Sequence, residues 1–232
     1  MKDNSENIIR LDSVDKVYGG EVSTQVLFDI NLAFGTGSFN SVVGQSGSGK
    51  STLLNIIGTL DRPTSGQVTI DGRRTDAMSK NDLAELRNRT IGFVFQFHFL
   101  LPEFTALENV LMPNRIRQNH IGSEMRKKAD DLFELVGITN VKNNLATRMS
   151  GGQQQRTAII RALINEPKVI LADEPSGNLD TDNSEALYEI FRDINRELGT
   201  TFIIVTHDRR IAEQTDRIIE IRDGRVAMDI NR

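Results

Sequence analysis

Phe39-Asn40-Ser41-Val42-Val43-Gly44-Gln45-Ser46-Gly47-Ser48-Gly49-Lys50-Ser51-Thr52 decides the fold. A short apolar run enters a glycine/serine loop, and an apolar helix over 51–60 follows. The loop fits G-x-x-x-x-G-K-[ST], and strand–loop–helix is the context that pattern requires. Glycines let backbone N–H groups converge on phosphate oxygens where a Cβ would obstruct the loop. The helix N-terminus adds unpaired donors and the positive end of its dipole. Lys50 supplies a point charge for the β/γ-phosphates, and the Ser51 hydroxyl is a ligand for Mg²⁺. Positions 44–52 therefore read as a nucleoside triphosphate site, which says nothing of how the energy is used.

Outward from this loop, strand and helix signals alternate. Phe28, Ile30, Leu32 and Phe34 recur at period 2, as on a half-buried strand. Val68 and Ile70 precede Asp71-Gly72, and 218–222 and 225–228 flank Asp223-Gly224, both hairpin signals. The apolar runs 169–172 and 202–205 fit buried parallel strands. Between them Leu187, Ile190, Phe191, Ile194 and Leu198 line one helix face, ended by Gly199. The stretch 97–150 differs, with helical signals and no convincing strand. Thr105-x-x-Glu108 has capping-box spacing, and Met125, Ala129, Leu132, Phe133 and Val136 keep helical spacing up to Gly137. The expectation is an α/β core interrupted by a helical insert.

Two further constellations bear chemistry. The run 169–172 ends in Asp173-Glu174. At the carboxyl end of a parallel strand these carboxylates face the phosphate crevice, where Asp173 can hold Mg²⁺ and Glu174 can polarise an attacking water. Met149-Ser150-Gly151-Gly152-Gln153-Gln154-Gln155-Arg156 opens a helix expected to reach about Asn165. Ser150 and Gln153 have capping-box spacing, so this turn presents free N–H groups as a second anion site or simply caps its helix.

Composition narrows the classes. The chain has 232 residues, enough for one large domain or two small lobes. It has 28 Lys plus Arg against 32 Asp plus Glu, a formal charge of −4, a poor balance for a nucleic-acid binder. The absence of cysteine excludes disulfides, thiolate metal sites and Cys nucleophiles. Among the histidines, His98 and His120 match no motif and read as surface residues. The start, MKDNSENIIR, has no apolar signal region, and no apolar stretch reaches the ~20 residues that span a bilayer. A membrane role is expected to come through a partner.

In order and spacing, these elements make the chain resemble the ATP-binding cassette (ABC) ATPases over nearly its whole length. Ser150-Gly151-Gly152-Gln153 matches their signature, here as there between the phosphate loop and the acidic strand. Tyr18 matches the aromatic that stacks on adenine, although a core role suits it equally. Gln96 matches the glutamine linked to Mg²⁺, water and the transporter partner, Ser176-Gly177-Asn178-Leu179-Asp180 the D-loop, and His207 the switch histidine at the γ-phosphate. Met149, Thr157 and Ile160 depart from the commoner residues at their positions.

The resemblance implies a P-loop NTPase (RecA-like) α/β core with an antiparallel β subdomain and an inserted α-helical subdomain. The whole of 1–232 is then one ABC ATPase domain, with about 1–96 and 151–232 as core and about 97–150 as helical subdomain. It implies catalytic Glu174, His207, Gln96 and Lys50, and metal ligands Ser51, Gln96 and Asp173. ATP contacts are implied for Tyr18, residues 44–52, and Ser150, Gly151, Gly152 and Gln153. It implies a homodimer packed head to tail around two ATP with Mg²⁺, each nucleotide between the phosphate loop of one copy and the signature of the other.

The segments 96–110, 60–66 and 173–180 look much like the lipoprotein-releasing ATPases and their macrolide-exporter and cell-division relatives. In that group the ATPase is peripheral on the cytoplasmic face of the inner membrane and drives an integral permease. Phe97, Phe99, Leu100, Leu101 and Phe104 offer a docking surface near Gln96, or else pack internally. Other readings are an ATPase that activates periplasmic hydrolases without transport, a soluble ABC ATPase on nucleic acid or ribosomes, and a small-molecule kinase. The single cassette, the lack of a heptad segment and the acidic balance speak against the soluble type; a kinase would not need the signature or the D-loop.

Overall fold

The computed structural model describes residues 7–20, 23–118 and 121–232, so His120 lies outside the described residues. The chain runs β1 (Asn7–Tyr18), β2 (Thr24–Gly35), β3 (Phe39–Val43), α1 (Lys50–Ile57), β4 (Ser65–Ile70) and β5 (Arg73–Arg74). It continues through α2 (Lys80–Thr90), β6 (Ile91–Phe95), α3 (Ala106–Arg117), α4 (Ser123–Leu135) and α5 (Gly151–Leu163). The end is β7 (Val169–Asp173), α6 (Thr181–Leu198), β8 (Thr201–Val205), α7 (Arg209–Ala212), β9 (Arg217–Arg222) and β10 (Arg225–Asn231).

The strands form two sheets. One is β10-β9-β3-β8-β7-β6, parallel except for β10, which returns antiparallel on β9. The other is an antiparallel sheet, β2-β1-β4-β5. Because side chains alternate across a strand, the continuous apolar run of β7 feeds two cores. Val169 and Leu171 join Leu53, Ile57, Ile9, Ile30 and Val68 under the antiparallel sheet. Ile170 and Ala172 face the other way, with Phe202, Phe191 and Ile159. Val110, Phe133 and Val141 from the helical insert belong to that second core, so the insert is packed continuously onto the sheet.

Local signals act as their chemistry requires. Asp71 and Gly72 (φ 49° and 71°) form one two-residue turn, Asp223 and Gly224 (φ 49° and 72°) the other, the conformation of I′ hairpins. Thr105 and Glu108 make a reciprocal capping box at α3. Asn109 then clamps the preceding loop: its amide donates to the Leu101, Phe104 and Thr105 carbonyls and accepts from Leu101 N–H. Gly137 (φ 70°) follows α4, and Gly199 (φ 65°) caps α6.

Five expectations are corrected. The helix expected over 51–60 is Lys50–Ile57, because Thr59 turns into the left-handed region (φ 57°) and Leu60 N–H folds back to Asn55 O at 2.9 Å; Gly58 before it packs where a Cβ would strike the Phe93 ring. The helix expected to reach Asn165 ends at Leu163. Phe28 does not share a face with Ile30: a bulge at Asp29 (φ 47°) rephases β2, so Leu27 is buried and Phe28 lies half-buried under Arg225. Leu198 is exposed in the last turn of α6, whose buried face closes instead with Asn195, hydrogen-bonded to the Gly37 and Thr200 carbonyls. His98 is half-buried and partnered, not a free surface residue.

Candidate active site

The carboxyl ends of four adjacent parallel strands open on one cleft of 480 Å³, where an open α/β sheet places its ligands. β3 delivers the glycine loop, β6 Gln96, β7 Asp173 and Glu174, and β8 leads to His207. Gly44, Ser46, Gly47, Gly49, Lys50, Ser51 and Thr52 line the cleft with them.

Backbone contacts explain the loop's glycines. A Cβ on Gly44 (φ 152°) would fall 2.2 Å from the Ile221 carbonyl oxygen. Gly49 (φ 105°) is the N-cap of α1 without any side-chain cap, and a Cβ there would press on Leu27 and the Val26 carbonyl. The Asp223-Gly224 turn props the loop, since Gly224 N–H donates to Ser48 O at 3.0 Å and Phe28 N–H to Gly224 O at 2.9 Å. Lys50 is buried, and its ammonium donates to the Gly44 and Gln45 carbonyls, each at 2.8 Å. The Ser48 hydroxyl is buried beside this loop with no partner.

The acidic pair divides by environment. Asp173 Oδ1 is buried with no partner, and burial raises the carboxyl's pKa, with Glu174 adding to the rise and Ser51 and Lys50 opposing it. Glu174 sits at φ 48°, a strained position of the kind that gathers at active sites. Its N–H donates to Val205 O at 2.9 Å, and its Oε2 lies 2.8 Å from His207 Nδ1. Among the described residues no three His, Asp or Glu side chains group to hold a metal. One orphaned carboxylate oxygen beside a hydroxyl instead fits a cation that would arrive with a phosphate.

Gln96 stands against the D-loop. Gly177 has no Cβ to strike its side chain, and Asn178 Nδ2 donates to its carbonyl at 3.0 Å. Tyr18 lies outside the cleft walls but beside them. It bonds the Thr52 hydroxyl, donates to Asp61 Oδ2 at 2.8 Å, and has Lys16 Nζ 4.6 Å over its ring. Burial and then Asp61 raise the Tyr18 pKa. The ring is partly exposed, which excludes the core alternative.

Ser150, Gly151, Gly152 and Gln153 do not line the cleft. They form the capping box at the start of α5, Gln153 N–H to Ser150 Oγ at 3.4 Å and Ser150 N–H to Gln153 Oε1 at 3.0 Å. Ser150 and Gly151 are exposed. Two of the unusual residues behind this turn meet: the Thr157 hydroxyl lies 3.8 Å from Met149 Sδ and donates to the Gln153 carbonyl.

The sequence reading overlooked three braces of the site. Asp61 holds Lys16 and Tyr18, and buried Tyr188 joins the Ser176 and Thr206 hydroxyls behind Glu174. Gln155 bonds the Pro175 carbonyl. Only Tyr188, a polar residue on an apolar helix face, carried a local signal.

The family model described as ABC transporter matches residues 27–177. Over 223 residues the chain is 50% identical to the lipoprotein-releasing system ATP-binding protein LolD 1 of Rhodopseudomonas palustris, covering 95% of this chain and 99% of that protein. It is 48% identical over 222 residues to LolD of Bacteroides thetaiotaomicron, covering 96% and 100%. The chain belongs to the ABC transporter family, in its lipoprotein-releasing group.

This ABC ATPase is also similar to a cassette solved as a dimer in a post-hydrolysis state with ADP and Pi. The TM-score is 0.89 at 41% identity, over 96% of this chain and 98% of that one. It resembles cbiO1 of Clostridium perfringens with a TM-score of 0.87 at 29% identity, over 97% and 89%. The expected P-loop α/β architecture is thus borne out. Among the described residues no helix of the ATPase is long and apolar enough to cross a membrane.

Proposed function

We propose that two copies pack head to tail around two ATP and drive a membrane permease that releases or exports lipoprotein or other hydrophobic cargo. The observation that carries this reading is the division of the nucleotide contacts within one chain. The phosphate loop, Gln96, Asp173, Glu174 and His207 share a cleft, while the Ser150 turn lies elsewhere with Ser150 and Gly151 exposed. The dimeric state of the related cassette supports the same arrangement.

In this reading the loop amides and Lys50 bind and orient the phosphates. Preorganised donors of this kind supply most of the stabilisation of a transferring phosphoryl group. Ser51, Asp173 and Gln96 would hold Mg²⁺, which neutralises phosphate charge when bound. Glu174 takes the proton of the attacking water, a role worth about 10²–10⁴-fold in rate. His207 and the partner's signature turn close on the γ-phosphate. ATP favours the closed pair and its hydrolysis releases it, a shift set by differential affinity for the two states.

The permease docks near Gln96 and the segment up to Val110, at the cytoplasmic face of the inner membrane. Phe97 and Phe99 are 64% and 65% exposed there, and Leu101 is exposed beside them. Leu100 and Phe104 are half-buried, so the segment divides between surface and core. A groove of 780 Å³ between α2 and α3, lined by Phe93, Phe95 and Ile116, continues this apolar surface of the kind that marks partner sites. No nucleic acid partner is expected of an acidic chain. Purification in mild detergent through a tag on the ATPase, with identification of co-purifying membrane subunits, tests the reading. A lipoprotein-releasing permease is the expected outcome, and recovery of the chain with no membrane subunit would refute it.

A further inference from the structure

The exposed loop of the docking segment is tied to the catalytic strand by a chain of hydrogen bonds. Phe97 and Phe99 point outward, and His98 between them turns in. Its Nδ1 lies 2.5 Å from Gln155 Oε1. Gln155, on α5, is 1% exposed. Its amide nitrogen donates to Pro175 O at 2.6 Å and to Phe95 O at 3.4 Å. With the amide hydrogens spent on carbonyls, Gln155 meets the imidazole with its oxygen, so His98 Nδ1 carries the proton and donates.

Both ends of the chain are fixed. Arg161, six residues along α5, donates to the His98 and Phe99 carbonyls, each at 2.7 Å. It holds Phe99 at φ 48°, an unusual conformation for an aromatic residue. At the far end, Pro175 follows Glu174 directly and, as a proline, offers only its carbonyl to a partner. The helix that supplies Gln155 and Arg161 begins at the Ser150 turn. The loop, the peptide that follows Pro175 and the signature helix therefore meet at one buried amide.

We propose that His98 and Gln155 are positioning residues for hydrolysis: they tie the posture of the loop around Phe97 and Phe99 to the Pro175 carbonyl, and so to where the Glu174 carboxylate stands. The proposal rests on the reading of Glu174 as the base and of the loop as a permease contact. Displacing the loop pulls on His98, and through Gln155 on the Pro175–Ser176 peptide, one residue past the base. A hydrogen-bonded chain between rigid elements is the physical form such coupling takes.

The test compares His98→Ala, His98→Asn and Leu101→Glu, each as the ATPase alone and as the complex purified with its membrane subunits. His98→Ala is expected to bind ATP with unchanged KM, to keep its membrane subunits, and to lose about five- to tenfold in kcat in both forms, the effect of one lost buried hydrogen bond. His98→Asn, whose amide nitrogen can stand where Nδ1 does, is expected to recover most of that loss. An unchanged kcat in His98→Ala overturns the proposal. So does a loss that His98→Asn fails to recover, which would make His98 packing only. Leu101→Glu addresses the docking reading separately and is expected to shed the membrane subunits at unchanged ATP affinity. Their undiminished recovery would refute docking at this loop, whereas the kcat of the ATPase alone still decides the positioning role.

Discussion

Two helix N-termini of this ABC ATPase are built in opposite ways. α1 begins at Gly49, in the left-handed region, with no side chain to satisfy its donors, and it lies against the buried ammonium of Lys50. α5 begins at Ser150 with a complete capping box and stands in solvent outside the cleft. Unpaired helix donors are costly unless a ligand or water takes them. The uncapped end thus fits the phosphate cradle proposed above, all of whose donors come from one chain. The capped end is stable by itself, its box taking the Ser150 and Gln153 amides and leaving those of Gly151 and Gly152 available. On the proposed function, the contrast separates a site formed by folding from one formed by association.

The largest effect tests the cleft onto which the first end opens. Glu174→Gln keeps the shape and the N–H bond to Val205 but removes the base, so ATP turnover should fall about 10²–10⁴-fold while ATP-driven dimers accumulate. Phosphate release and size-exclusion chromatography with ATP read both. Turnover at the unsubstituted rate would remove Glu174 from the reaction.

Lys50→Ala should weaken ATP binding by about 10–100-fold, the worth of a charged hydrogen-bonding group, measured by calorimetry. Ser150→Arg should leave that affinity intact in the single chain and abolish the ATP-dependent dimer. If dimers still form, the second end is not a nucleotide contact and the comparison breaks.

Asp173 gives a smaller, pH-dependent effect. Its pKa is raised above the model-compound value of 3.8, chiefly by burial. The protonated carboxyl therefore favours the nucleotide-free fold, and that contribution is lost as pH rises through the raised value. Asp173→Asn should melt above the parent protein near neutral pH, with the gap closing in acid, while Mg²⁺-dependent turnover disappears. A lower melting temperature at neutral pH would contradict the sign. The smallest effect is on the capped end: Ser150→Ala should cost about 1 kcal/mol in chemical denaturation.

Much of this was legible along the chain because it depends on short-range chemistry. The phosphate loop, the two Asp-Gly turns, the capping boxes at Thr105 and Ser150 and the Gly199 stop depend on neighbours within a few residues, and each is found where its residues stand. Other elements were silent. α2 is a polar helix that buries only Leu83, Leu86 and Thr90, too few for a clear apolar stripe. The Asp29 bulge is set by pairing with β1, which no local pattern records.

The sequence by itself therefore determined that this protein is an ATP-binding cassette, which residues to propose as its phosphate contacts, and that an α/β core is interrupted by helices. Only the tertiary structure decided that Gln96, Asp173, Glu174 and His207 share one cleft, that Ser150 does not, and that His98 faces inward to Gln155. The reason is range. A loop or cap is fixed by backbone donors and φ angles close in the chain, whereas the cleft depends on the order of parallel strands, set by burying both faces of the sheet at once.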